Sequence, residues 1–214
     1  MRLYLSSEGF GNHLEKLKQM VGQNKKVLFI DNAKDYLIPA ERAVHVQEKQ
    51  QEFEAAGFDF YELDLRDYKS PEKLEILKQL VEAAGLVWVS GGNTFILRRI
   101  LADTQADTIL TNALQKDLCV YGGSSAGSIV MTKTLRGTEN GDNPYEVPEG
   151  YDEKIVWDGL GLIYPQLVPH YQSDWFGDES QAMADYFETN GMKYETLKDG
   201  EVYIVDGEIE EKLV

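Results

Sequence analysis

Cysteine is almost missing from this chain: Cys119 is the single one, so no internal disulfide can form. That suits a reducing compartment, and a cytoplasmic location is the expectation. Histidine is nearly as scarce, with His13, His45 and His170 the three in the chain and no two at metal-ligand spacing. No metal site and no cofactor are therefore expected. No apolar run approaches the roughly 20 residues that span a bilayer, so no membrane partner is expected. Met1–Leu5 lacks a leader's basic and then apolar build and is expected to form a first strand.

Positive charge is the other shortage: 21 Lys and Arg stand against 37 Asp and Glu, a net charge of −16. A surplus of that sign argues against nucleic acid or an anionic membrane as a partner. It is spread along helices and loops, the pattern of a solvated surface. The apolar share, 43%, is ordinary, and 214 residues suffice for one substantial core, so a single domain over residues 1–214 is expected. Oligomeric state leaves no mark on the sequence.

What is there is an alternation. Short apolar strands are predicted at Arg2–Ser6, Lys26–Ile30, Phe58–Leu63, Leu86–Val89 and Leu118–Tyr121. Between them, helical spacing is predicted at His13–Val21, Ala40–Ala56, Ser70–Ala84, Thr94–Leu101 and Asp107–Lys116. Such an order implies right-handed crossovers and an α/β fold, a mostly parallel sheet covered on both faces. Ligands of such sheets gather at the carboxyl ends of the strands. Lys133–Gly159 is rich in Gly, Asn, Asp and Pro and reads as a long functional loop. Apolar character resumes at Leu160–Leu162 and Gln166–Val168, followed by a helix over Asp178–Asn190. Strands at Tyr194–Leu197, Glu201–Val205 and Glu208–Val214 are expected to be joined by hairpin turns at Asp199-Gly200 and Asp206-Gly207.

Tyr121-Gly122-Gly123-Ser124-Ser125-Ala126-Gly127-Ser128 is the stretch around which the chain is organised. A serine at a tight strand-to-helix junction among small residues fits the Gly-x-Ser-x-Gly nucleophile elbow, with Ser125 at its tip. The segment is no phosphate loop, because Ser128 stands where that loop needs lysine, and it lacks the second glycine of a dinucleotide fingerprint. A serine hydroxyl needs a base to take its proton. His13 and His45 fall in charged helices and read as exposed helix histidines, whereas His170 ends an apolar strand in Pro169-His170-Tyr171 and is the candidate base. Its orienting acid is open among Asp142, Asp174, Asp199 and Glu201, with Asp199 favoured over Asp142 because a tight Asp-Gly turn holds a carboxylate rigidly. Oxyanion donors are expected from the Ala126 N–H and from Gly91 or Gly92 in Ser90-Gly91-Gly92-Asn93.

Taken together, Val89-Ser90-Gly91-Gly92-Asn93-Thr94-Phe95, Gly123-Ser124-Ser125-Ala126-Gly127, Pro169-His170-Tyr171 and the late Leu197-Lys198-Asp199-Gly200 turn resemble the dipeptidase E and cyanophycinase group of serine peptidases. The resemblance implies a three-layer sandwich like that of class I glutamine amidotransferases, with a flavodoxin-like core and serine in place of their cysteine. It also implies Ser125 as nucleophile, His170 as base, Gly92 with Ala126 as the oxyanion hole, and a small peptide as substrate. The elbow does not separate amides from esters, so an esterase or other acyl hydrolase is the alternative, and a non-catalytic small-molecule-binding domain a third.

Members of this group that cleave after an N-terminal aspartate carry arginines shortly beyond the histidine, and Gln172–Gln181 has no basic residue. The expectation is that Asp174, Asp178 and Glu179 line the pocket and disfavour an acidic substrate. Tyr171, Trp175 and Phe176 would then favour neutral or apolar groups, unless Arg98, Arg99 or Arg136 reaches the site.

Overall fold

The alternation of apolar runs and helices folds into a seven-stranded sheet with helices on both faces, in a computed structural model that describes residues 1–214. The first elements are β1 (Arg2–Ser6), α1 (Leu14–Val21), β2 (Lys26–Ile30), α2 (Pro39–Ala55), β3 (Asp59–Glu62), α3 (Pro71–Glu82) and β4 (Leu86–Val89). There follow α4 (Thr94–Asp103), α5 (Ala106–Gln115), β5 (Val120–Ser124), α6 (Ala126–Ile129), β6 (Gln166–Val168) and α7 (Gly177–Thr189). The chain closes with β7 (Tyr194–Thr196), β8 (Val202–Asp206) and β9 (Ile209–Leu213).

Strand order is β3-β2-β4-β5-β1-β8-β9, parallel from β3 to β1 and antiparallel through β8 and β9. Alternate strand residues feed two cores. Leu3, Leu5, Leu28, Ile30 and Val87 meet the buried faces of α3, α4 and α5, while Tyr4, Val27, Phe29 and Trp88 meet those of α1 and α2. The register Ser6↔Ser124 and Ile30↔Val89 brings β1, β2, β4 and β5 to an end at one level. Everything that leaves those strands therefore opens into one cleft.

Two local expectations are corrected. The strand expected at 118–121 runs instead over Val120–Ser124, because Gly122 and Gly123 belong to it. A Cβ on Gly122 would stand 2.2 Å from the Trp88 ring, so glycine is required there by a neighbour and not by a turn. Leu160–Leu162, where apolar character resumes, packs along the chain that follows the elbow, its N–H groups taken by the Val130, Thr132 and Met131 carbonyls. Asp199-Gly200 is no hairpin. β7 pairs in parallel with β6 in a separate two-stranded sheet, whereas β8 pairs with β1, so this turn bridges two sheets. Asp206-Gly207 does close the hairpin between β8 and β9.

The long 133–159 loop is fixed from beneath by two buried arginines of α4. Arg98 donates from Nε to the Asp158 carbonyl at 2.7 Å and pairs with Asp107 at 3.0 Å. Arg99 donates to the carbonyls of Pro144 (2.6 Å), Glu146 (3.2 Å) and Lys154 (3.2 Å). The Tyr151 hydroxyl adds a hydrogen bond to buried Asp35. Beyond a short 3-10 turn at Thr138–Asn140 and a single bridge between Thr134 and Asp158, the loop lacks regular ladders, and a planar fork of donors serves its carbonyls instead.

Arg99→Met should therefore cost about 2–3 kcal/mol of unfolding free energy, because the carbonyls it serves lose a charged donor. Urea denaturation reads the loss, and amide exchange in residues 142–154 should accelerate. Arg99→Lys should recover little of it, since an ammonium cannot reproduce the fork.

Candidate active site

Ser125 sits between β5 and α6 with φ 50° and ψ −112°, a conformation disfavoured for any residue with a side chain. Strain of this kind costs about 1–3 kcal/mol and persists only where the surroundings impose it. Here the Ser125 N–H is held by the Ser6 carbonyl at 3.1 Å, and the Tyr121 hydroxyl donates to the Gly127 carbonyl at 2.7 Å. The small residues make the approach possible: a Cβ on Gly123 would fall 2.5 Å from the Gly127 oxygen, and one on Gly127 2.2 Å from the Val89 oxygen. A Cβ on Gly91 would stand 3.0 Å from that of Ser125. β4 and β5 are pressed together at this corner, which lifts Ser125 into the cleft.

His170 follows β6 with φ 57°, also a strained value. Its side chain is 6% exposed, and its Nδ1 lies 2.7 Å from Asp199 Oδ1. A carboxylate only accepts, so Nδ1 carries the proton and Nε2 is left as an acceptor. The buried Ser7, at the end of β1, joins the pair: it accepts from the His170 backbone N–H at 2.7 Å and donates to Asp199 Oδ1 at 2.8 Å. Trp175 lies tilted against the imidazole at 4.4 Å between centroids, with Phe176 edge-on at 5.8 Å. The other carboxylates expected near the histidine go elsewhere. Asp142 accepts from the Thr94 N–H at the start of α4 (2.8 Å), and Glu201 from the Lys198 N–H (2.9 Å). Asp174 is exposed and forms no hydrogen bond or ion pair with His170.

In the turn after β4, the Ser90 N–H is taken by Ile30 and the Asn93 N–H by Ala33. The N–H groups of Gly91 and Gly92 have no partner within the chain. Gly92 has φ 143°, and a Cβ there would lie 2.4 Å from the Ala33 oxygen. Ala126 is the first residue of α6, so its N–H has no intrahelical acceptor. Ser125, His170, Gly91 and Gly92 line one cavity of about 550 Å³. A hydroxyl at a strained elbow, an imidazole oriented by a carboxylate, and free backbone N–H groups in one cleft are the parts needed for acyl transfer.

The expected charge of the cavity is corrected. Asp178 and Glu179 lie on the first turn of α7, and neither they nor Asp174 line the cavity. Arg98 and Arg99 serve the loop, and Arg136 lies over the Trp157 ring at 3.6 Å. The basic side chains present are Lys34, His45 and Lys49, and the acidic ones are Glu8, Glu52, Asp142 and Glu146. His45, expected to be an exposed helix residue, is half-buried with Nδ1 3.0 Å from the buried Asp31. Asp31 also accepts from Ser90 at 2.5 Å. His45, Lys49 and Glu52 or Phe53 stand at i, i+4 and i+7 or i+8 of α2, a periodicity that would have shown the shared face. Ser7 carried no such signal, since nothing local marks a strand-end serine.

The model of peptidase family S51 matches residues 4–212. An uncharacterized peptidase of Listeria innocua is 27% identical over 193 residues, covering 89% of this chain and 86% of the relative. A probable alpha-aspartyl dipeptidase of Drosophila melanogaster is 29% identical over 138 residues, 61% of this chain and 54% of the relative. Among solved structures, a Listeria monocytogenes EGD-e protein provisionally assigned to peptidase E superposes with a TM-score of 0.79 at 20% identity, covering 99% of this chain and 97% of that one, which establishes the likeness of fold.

Asp142 supplies a test of the cleft's electrostatics. Burial pushes its carboxyl up to about 6, with Glu146 adding to the rise and the Thr94 N–H and Lys34 opposing it. The folded protein thus holds a proton on Asp142 that the unfolded chain releases above its ordinary value of 3.8, so stability should fall as pH rises from about 4 to about 6 and then level. Asp142→Asn keeps an acceptor for Thr94 and removes the penalty. It should be neutral at pH 4 and stabilising by about 1–2 kcal/mol at pH 7, the partial exposure of the residue limiting the gain. Equal urea midpoint shifts at both pH values would contradict this.

Proposed function

The chain belongs to peptidase family S51, a family of serine-type peptidases, and from that premise we propose that it hydrolyses dipeptides or short peptides through Ser125, His170 and Asp199, within one domain spanning residues 1–214. The observation that carries this reading is the 2.7 Å contact between His170 and Asp199 on the wall of the cavity that also contains the strained Ser125. A cavity of about 550 Å³ has room for a short peptide, and the Drosophila relative's name, a dipeptidase, supports that substrate class.

In this reading the Ser125 hydroxyl attacks the scissile carbonyl carbon while His170 Nε2 takes its proton. The carbonyl oxygen becomes an oxyanion held by the N–H groups of Gly92 and Ala126. Collapse breaks the C–N bond, the leaving amine takes the proton from His170, and an acyl ester remains on Ser125. Water then attacks the ester and gives its proton to His170, which returns it to the departing Ser125 oxygen. Asp199 keeps the other proton on Nδ1 and stabilises the imidazolium. Ser7 acts as a positioning residue, because it fixes both the backbone of the base and the carboxylate of its orienter.

Ser125→Ala should lose several orders of magnitude in rate while keeping the fold, and His170→Ala should lose as much. The double variant should be hardly worse than either, since each loss disables the same step; multiplying losses would contradict the pairing. Fluorophosphonate labelling of Ser125, absent in Ser125→Ala, reports the nucleophile without a substrate. Asp199→Asn should cost about 10³–10⁴-fold in kcat. Ser7→Ala should lower kcat by about 10-fold with KM nearly unchanged, and a change confined to KM would mean that Ser7 serves binding instead.

A further inference from the structure

Of the three basic side chains in the cavity, two already have acidic partners. Lys49 pairs with Glu52 at 2.6 Å, and His45 lies 3.0 Å from Asp31. Lys34 is different: it lines the cavity half-buried, and its ammonium has neither an ion pair nor a hydrogen bond. Its backbone is fixed, with its N–H donated to the Asp31 carbonyl at 2.9 Å and its own carbonyl accepting from Leu37 at 2.9 Å. The preceding residue, Ala33, accepts from the Asn93 N–H at 2.8 Å and closes against Gly92. The lysine thus rides on the segment that supports the Gly91-Gly92 turn.

The neighbouring carboxylates are committed elsewhere: Asp31 to Ser90 and His45, Asp142 to the Thr94 N–H, and Glu146 to the Asn93 side chain at 3.0 Å. Asp31 and Asp142 are near enough to favour the charged lysine, while its burial and Lys49 oppose the charge. A partly desolvated ammonium with no partner, in a chain with 37 acidic residues to choose from, is a charge left for a ligand.

We propose that Lys34 is a specificity-determining residue that binds a carboxylate of the peptide substrate in this cavity. The proposal rests on the peptidase reading of Ser125 and extends it to the charge of the substrate. The carboxylate has two sources in a short peptide, an acidic side chain or the free C-terminus. Lys34 donates to its oxygens, and the covalent chemistry at Ser125 is unchanged.

The test compares Asp-Leu, Ala-Leu, Asp-Leu-amide and Ala-Leu-amide with wild type, Lys34→Met and Lys34→Arg at fixed ionic strength. Lys34→Met should lower kcat/KM by about 10- to 100-fold, mainly through KM, for peptides bearing the recognised carboxylate. Ala-Leu-amide, which has no carboxylate, should be unaffected, and Lys34→Arg should retain most of the preference. Losses for Asp-Leu and Asp-Leu-amide alone identify the side chain as the source; losses for Asp-Leu and Ala-Leu alone identify the C-terminus. An equal loss for all four peptides, or none for any, overturns the proposal. Calorimetric binding of the same peptides to Ser125→Ala, with and without Lys34→Met, gives a readout independent of turnover. If wild type cleaves none of them and Ser125 resists fluorophosphonate, the peptidase reading fails, and the calorimetry still decides Lys34: peptides that do not bind, or bind equally to both proteins, overturn it. Should Lys34→Met fail to fold, Lys34→Gln replaces it.

Discussion

One hydroxyl holds the proposed catalytic geometry together. Ser7 accepts from the backbone of His170 and donates to Asp199, linking positions 163 and 192 residues away in the chain. The three meet because β1 is central: β5 lies on one side of it and β8 on the other, and Asp199 leads directly into β8. A buried hydroxyl must have partners. By having one as donor and one as acceptor, Ser7 fixes the distance between imidazole and carboxylate independently of the loops around them. It also holds His170 in a backbone conformation that a non-glycine residue otherwise avoids.

Ser125, the proposed nucleophile, is positioned by an opposite device, close approach with no side chain between. Gly91, Gly123 and Gly127 let β4, β5 and the start of α6 touch backbone to backbone, so that the strain at Ser125 is imposed from several directions. A methyl group at any of these glycines would separate the strands locally. The two devices are complementary: packing sets the elbow, and polar bonds set the base. The cleft exists because the strands that carry them end at one level.

How much of this was legible follows from the range of the interactions. The parallel sheet was, because buried strands and amphipathic helices write their periodicity locally, and the boundaries of β1, β2 and β4 fall where the apolar runs fall. The elbow was legible from small residues around one serine. β5 was misplaced because Gly122 and Gly123 look like a turn until Trp88 is seen pressing on them. The Asp199 turn was read as a hairpin because two short apolar runs flank it, yet the partner of each run lies on a distant element. Ser7 and Asp31 were not legible at all. Each is polar, buried and defined only by partners far away in sequence, and no local pattern encodes that.

The charge of the cavity teaches a related lesson about scale. A net charge of −16 is a property of the whole surface, and charges separated by more than about 8–10 Å in physiological salt are largely screened from one another. An unpaired charge about 4 Å from a ligand at an effective dielectric of about 20 interacts by roughly 4 kcal/mol. The nearest uncompensated group therefore outweighs the average of the surface. In this cleft that group stands on the turn after β2, far in sequence from the segment beyond His170. The ends of β1, β2, β4 and β5 all face one space, so a charge carried at any of them stands in the same cleft. A sequence position is then a poor guide to which charge a substrate meets, and the strand end that carries it is a better one.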